Sequence, residues 1–170
     1  MRKIILPFVF LFLFSGCSNS VSVTPQEVAE KYKQDFSSSV IAVFGDNRAE
    51  MEASKNGMSI SISVNSPAEL SGMGIEIFDE HAKIIYEGME QEIKKDSLPE
   101  GTPFLLLEEL FEELSDPDEF TLSTENENII AKGEGFSAVL SPEDFSLVSA
   151  KFPLFETEFT FSDFVFKSAE

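Results

Sequence analysis

Side chains able to do covalent or metal chemistry are few in this sequence, and their spacing excludes most reaction types. His81 is the single histidine and Cys17 the single cysteine of 170 residues. An imidazole metal cluster needs more than one histidine and is excluded, and a lone histidine in a turn-like stretch offers no Ser-His-Asp or Cys-His arrangement. His81 follows the turn-like Asp79-Glu80 and reads as an exposed residue without a chemical role. Gly72-Met73-Gly74 has no basic residue after it to hold a phosphate. Asp116-Pro117-Asp118-Glu119 lacks the spacing and glycine of a calcium loop and reads as a helix stop. Carboxylates are abundant, but a glycosidase needs two of them facing across a cleft, and number alone supplies no such geometry. These observations predict a protein that is not an enzyme and carries no metal or cofactor.

Cys17 stands at an informative place. Arg2 and Lys3 precede an apolar run from Ile4 to Phe14, broken only by Pro7, and Ser15-Gly16 lead into the cysteine. The run is too short to span a bilayer, which needs about 20 residues, and its three-part order is that of an export signal. The stretch Leu13-Phe14-Ser15-Gly16-Cys17 resembles the lipobox of bacterial lipoproteins. The resemblance implies cleavage before Cys17, diacylglycerol on its sulfur, and anchoring at the extracytoplasmic face of the cell membrane through acyl chains such as palmitate. We therefore expect a signal peptide at 1–16, a lipidated Cys17 with a short tether to residue 23, and a single domain over 24–170.

Removing residues 1–16 takes Arg2 and Lys3 from the 12 basic residues and none of the 31 acidic ones, deepening a net charge that is already −19. Such a balance repels phosphate backbones, so nucleic acid is excluded as a partner. A cationic partner, such as another envelope protein, remains compatible with it.

Two helices and many strands must position whatever site exists. Thr24-Pro25-Gln26-Glu27 has the pattern of a capping box with proline at the first helical position. Val28, Tyr32 and Phe36 then make an apolar stripe, predicting a helix over 25–36. From residue 38 the period becomes two: hairpin strands at 39–45 and 48–55, a faultless alternation over 58–64 with a turn at Asn56-Gly57, then strands at 74–78 and 83–87. Residues 88–101 read as irregular. A second helix over 103–115 places Leu107, Leu110, Phe111 and Leu114 on its apolar stripe and Glu108, Glu109, Glu112 and Glu113 toward solvent. Strands follow at 119–125, 128–133, 135–140, 144–151 and 157–166. The predicted class is α+β, one antiparallel sheet with two helices against it.

Eight of the 18 phenylalanines lie between residues 136 and 166. They fill the core of a curved sheet or line an apolar cavity for a lipid. The cavity reading names Phe136, Phe145, Phe159 and Phe161 from the sheet, with Leu107 and Phe111 from the second helix.

The element order, the lipobox, the strings "SISVNSPAELSGMGIEI" and "KIIYEGME", and "FTFSDF" near the end together resemble the lipoprotein-carrier superfamily of LolA- and LolB-like proteins and mycobacterial lipoproteins. The chain departs from members that use a loop tryptophan or an arginine at the lid: it has no tryptophan and, past residue 16, only Arg48. The resemblance implies an antiparallel sheet curved into an unclosed half-barrel, with two covering helices and acyl chains held on the concave side. Two functions follow as expectations. The first is a membrane-anchored protein that binds a hydrophobic ligand, a lipid or acyl chain, without catalysis. The alternative is an acidic adaptor that engages another envelope protein and takes no ligand.

Overall fold

The computed structural model describes residues 23–167. The signal, Cys17 and most of the tether lie outside the described residues. Helix α1 runs Pro25–Tyr32 and begins as its sequence dictates: the Thr24 hydroxyl accepts from the Glu27 amide, and the Glu27 carboxylate accepts from the Thr24 amide at 2.8 Å. The helix ends four residues before the predicted limit. Phe36 is instead the first residue of β1 (Phe36–Phe44), where its ring is fully buried.

Strands β2 (Asn47–Asn56), β3 (Ser59–Ser66), β4 (Gly74–Phe78), β5 (His81–Tyr86) and β6 (Met89–Lys94) follow as consecutive antiparallel neighbours. Alternation decides their faces. Val40, Ala42, Ile60, Ile62, Val64, Ile75 and Ile77 point into the core, while Ser59, Ser61 and Ser63 point out. The β2–β3 turn is Gly57-Met58, one residue later than the sequence signal, so Met58 leaves the strand face and stands 90% exposed. His81 likewise opens β5 instead of sitting in the turn, its ring stacked 6.0 Å from Phe78. Strand β6 falls in the stretch read as irregular. It is an edge strand with little to bury, so its sequence carries no period of two. The Glu87-Gly88 hairpin, both residues at positive φ, folds it back onto β5.

A short 3-10 turn (Lys95–Ser97) leads to helix α2 (Pro103–Leu114). Strands β7 (Thr121–Glu125), β8 (Asn128–Lys132), β9 (Ser137–Leu140), β10 (Leu147–Phe152) and β11 (Thr157–Phe166) complete the sheet. Its order is β6-β5-β4-β3-β2-β1-β11-β10-β9-β8-β7. The first and last strands therefore pair at the centre, Val40 opposite Phe161, and the two edges, β6 and β7, stay unpaired. The result is an unclosed antiparallel half-barrel with two covering helices, as expected. Helix α2 lies on the connection between the two edges, and its buried side chains belong to the same core as both halves of the sheet.

Rings run through that core in a continuous series. Tyr32 meets Phe166 at 5.4 Å between centroids, Phe36 stacks on Phe164 at 5.1 Å, and Phe111 of α2 approaches Phe36 edge-on at 4.7 Å. The series continues through Phe161, Phe159, Phe152 and Phe136 at spacings of 6.0–6.4 Å. Edge-to-face and offset arrangements of this kind add to the stabilisation from burial alone.

Candidate functional site

Helix α2 is the element about which a site can be built, because with the β2–β3 and β4–β5 turns it lines an open groove. Its inner face buries Leu106, Leu107, Leu110, Phe111 and Leu114. Its outer face differs from the sequence reading. Glu108 is only 4% exposed, because the Lys95 turn folds over it and the Lys95 ammonium pairs with its carboxylate. Burial is the larger influence on Glu108 and raises its pKa to about 7, against the pull of Lys95. Glu109 and Glu113 are raised too, first by burial and then by neighbouring carboxylates.

The two ends of α2 are held differently. At the C-terminal end the Ser115 hydroxyl lies within hydrogen-bond reach of the Tyr32 and Phe111 carbonyls, at 3.0 and 2.7 Å, and the Lys55 ammonium donates to Tyr32 as well. At the N-terminal end Thr102 gives no side-chain cap, and its hydroxyl is buried without a partner among the described residues. Gly101, at φ +73°, precedes it with the Phe155 ring pressed against its Cα; a Cβ there would stand 2.2 Å from that ring. The N-terminal end therefore lacks the side-chain hydrogen bonds found at the C-terminal end.

Alongside α2 runs an open groove of about 730 Å³, with Met58, Leu98 and Leu105 as its apolar surface and Asp79, Asp96 and Glu100 among its acidic residues. A second hollow of about 360 Å³ adjoins it, sharing Met58, Asp79 and Glu112, and reaches Ile60, Ile77 and Phe111 of the core. Both volumes fall within the range of small-ligand sites.

Four of the six residues named from the sequence are brought together under α2: Leu107, Phe111, Phe159 and Phe161, each at most 6% exposed. Phe111 alone of the six borders the hollow that adjoins the groove. Phe136 packs on Phe152 and borders a separate surface hollow of about 380 Å³ near Leu154. Phe145 is half-buried in the β9–β10 loop at φ +66°, where its carbonyl accepts the Tyr32 hydroxyl at 2.9 Å. Sequence reasoning passed over Met58, Leu98 and Leu105. The unbroken apolar run Phe104–Leu107, wider than one helical stripe, was the available signal for Leu105.

No family model matches the sequence, and no curated protein does. Solved structures do match. An uncharacterized conserved protein from Thermus thermophilus aligns over 85% of both chains with a TM-score of 0.53 and 8% identity. The two share a fold. A LolA superfamily protein from Nitrosomonas europaea aligns over 88% of this chain and 96% of its own at TM-score 0.43 and 10% identity. The Mycobacterium tuberculosis lipoprotein LppX aligns over 82% and 91% at 0.44 and 9%.

The close approach of Gly133 to α2 supplies a first test. A Cβ at Gly133 would lie 2.3 Å from the Phe136 ring and 2.4 Å from the Glu113 carboxylate. Gly133→Ala is therefore expected to destabilise the fold by about 1–3 kcal/mol through overpacking, read as a lower urea midpoint at unchanged slope. An unchanged midpoint would show that this close approach is not maintained.

Proposed function

We propose that this chain is a lipid-anchored extracytoplasmic protein that binds a hydrophobic ligand, a lipid or acyl chain, between α2 and the concave face of the half-barrel, without covalent chemistry. The observation that carries the reading is the open groove along α2, whose adjoining hollow reaches Phe111, Ile60 and Ile77. An acyl chain entering there meets apolar side chains at once. Lifting the uncapped N-terminal end of α2 lengthens its path over Leu107, Phe159 and Phe161. Cys17 carries the anchor, and the tether keeps the groove close to the membrane.

The test uses the chain made without residues 1–17, which keeps every described residue. Native mass spectrometry is expected to find one acyl-chain species per protein, either co-purified or taken up from added fatty acid or phospholipid. Absence of both overturns the reading. Cys17→Ser in the full chain is expected to move the protein out of the membrane fraction; retention in that fraction overturns the anchor.

A second reading, the acidic adaptor, draws on the unpaired edges β6 and β7, whose main-chain groups are open to pairing with a strand of another envelope protein. It expects a stoichiometric partner in crosslinked cells whose capture fails at high salt. A partner captured by a chain that takes up no acyl species favours this reading over the first.

A further inference from the structure

The charges around the α2 groove are unbalanced, and the imbalance bears on what its ligand carries at the polar end. Asp79, Glu80, Asp96 and Glu100 line the groove without an ion pair among the described residues. Of the two lysines in the wall, Lys95 is already engaged by Glu108 and, at 3.8 Å, by Glu112; Lys94 alone makes no ion pair there. An anionic head group placed over Met58, Leu98 and Leu105 would face four carboxylates and one available ammonium. A cationic head would find several carboxylates within the same groove and lose little of its own solvation, because the acidic rim is open to water.

We infer that the ligand of this groove is an amphiphile with a cationic, amine-type head group, its chain lying on Met58, Leu98 and Leu105 and its head among Asp79, Asp96 and Glu100. The inference rests on the hydrophobic-ligand reading above and narrows it, setting aside free fatty acids and anionic phospholipids as preferred ligands. The two kinds of group that define the ligand share the segment before α2 and otherwise come from different elements. The apolar surface comes from the β2–β3 turn, the segment before α2, and α2 itself; the acidic rim comes from the β4–β5 turn and the same segment before α2.

The experiment compares probes that share a twelve-carbon tail: dodecyltrimethylammonium, dodecyl maltoside and dodecyl sulfate, each below its micelle-forming concentration. Titrations follow methionine and leucine methyl resonances of the chain made without residues 1–17. The expected result is shifts at Met58, Leu98 and Leu105, with the cationic probe binding about tenfold more tightly than the neutral one and the sulfate more weakly than either. Asp79→Asn, Asp96→Asn and Glu100→Gln combined should abolish the preference while leaving the neutral probe bound. Asp118→Asn, Glu127→Gln and Glu143→Gln combined remove the same charge from exposed sites away from the groove and should keep it. Equal affinity for all three heads overturns the head-group inference and leaves the hydrophobic-ligand reading standing. Loss of preference in both triple variants overturns it as well, assigning the effect to net charge. Tail-less hexalysine shifting the same methyls as strongly as the cationic amphiphile would make the groove a surface for basic peptides. Failure of every tailed probe to bind overturns both readings.

Discussion

Phe111→Ala is expected to remove about 3–5 kcal/mol of folding stability, the usual cost of deleting a fully buried ring. Phe111 is 1% exposed, meets Phe36 edge-on at 4.7 Å and faces Phe161 at 6.3 Å. It therefore couples α2 to the two central strands β1 and β11. A domain of this size has about 5–15 kcal/mol in total, so the variant should unfold at low urea or purify partly unfolded. Phe111→Leu keeps most of the apolar volume and should cost roughly 1 kcal/mol, leaving a folded protein for ligand titrations. Equilibrium urea unfolding of both variants reads the effect. A loss below about 1 kcal/mol for the alanine variant would mean that α2 is not seated on the sheet as described.

Glu108 sets the second large effect, a stability that falls as pH rises. The carboxyl has a pKa of about 7 when folded, against an ordinary value of 4.5. Below 4.5 it holds its proton in both states, and its favourable contribution is fully present. Between 4.5 and 7 the folded chain keeps a proton that the unfolded chain releases, so each rise in pH favours unfolding. Above 7 the contribution is gone. The span corresponds to up to about 3 kcal/mol. Glu109 and Glu113 are raised as well and slope the same way. Glu108→Gln retains a hydrogen-bond acceptor for Lys95 and removes the titration. Urea midpoints measured from pH 5 to pH 8 should fall less steeply in the variant than in the parent. Identical slopes would overturn the assignment.

Local signals were legible in the sequence because they act over a few residues. The Thr24 capping box, the alternation of β3 from Ser59 onward and the inner stripe of α2 stand where their spacing put them. Three features were not legible, each for a physical reason. Strand β6 buries almost nothing, so selection for a buried face leaves no pattern in Met89–Lys94. Glu108 reads as a solvent-facing position because nothing in the helix's own sequence announces that Lys95 folds back over it. Leu98 and Met58 become one surface with Leu105 only through tertiary contact between a turn, a loop and a helix. The phenylalanine concentration and its grouping with Phe111 of α2 were legible, while the separation of Phe136 and Phe145 from that group was not.

The pairing of β1 with β11 has a consequence for how the chain reaches this structure. Phe36 pairs with Phe166, and the Ser38 hydroxyl donates to the Ser162 carbonyl 124 residues away. Of the described strands, the last along the chain is thus the one that joins the two half-sheets. Until it arrives, β1 and β10 both present open inner edges, and closing so long a loop is a slow step. The order of events is thereby constrained: each half can form its own hairpins early, but the barrel's middle is the last part to be made. The final ten-residue strand acts as a seam, and a chain truncated before Thr157 would have two half-sheets with nothing between them.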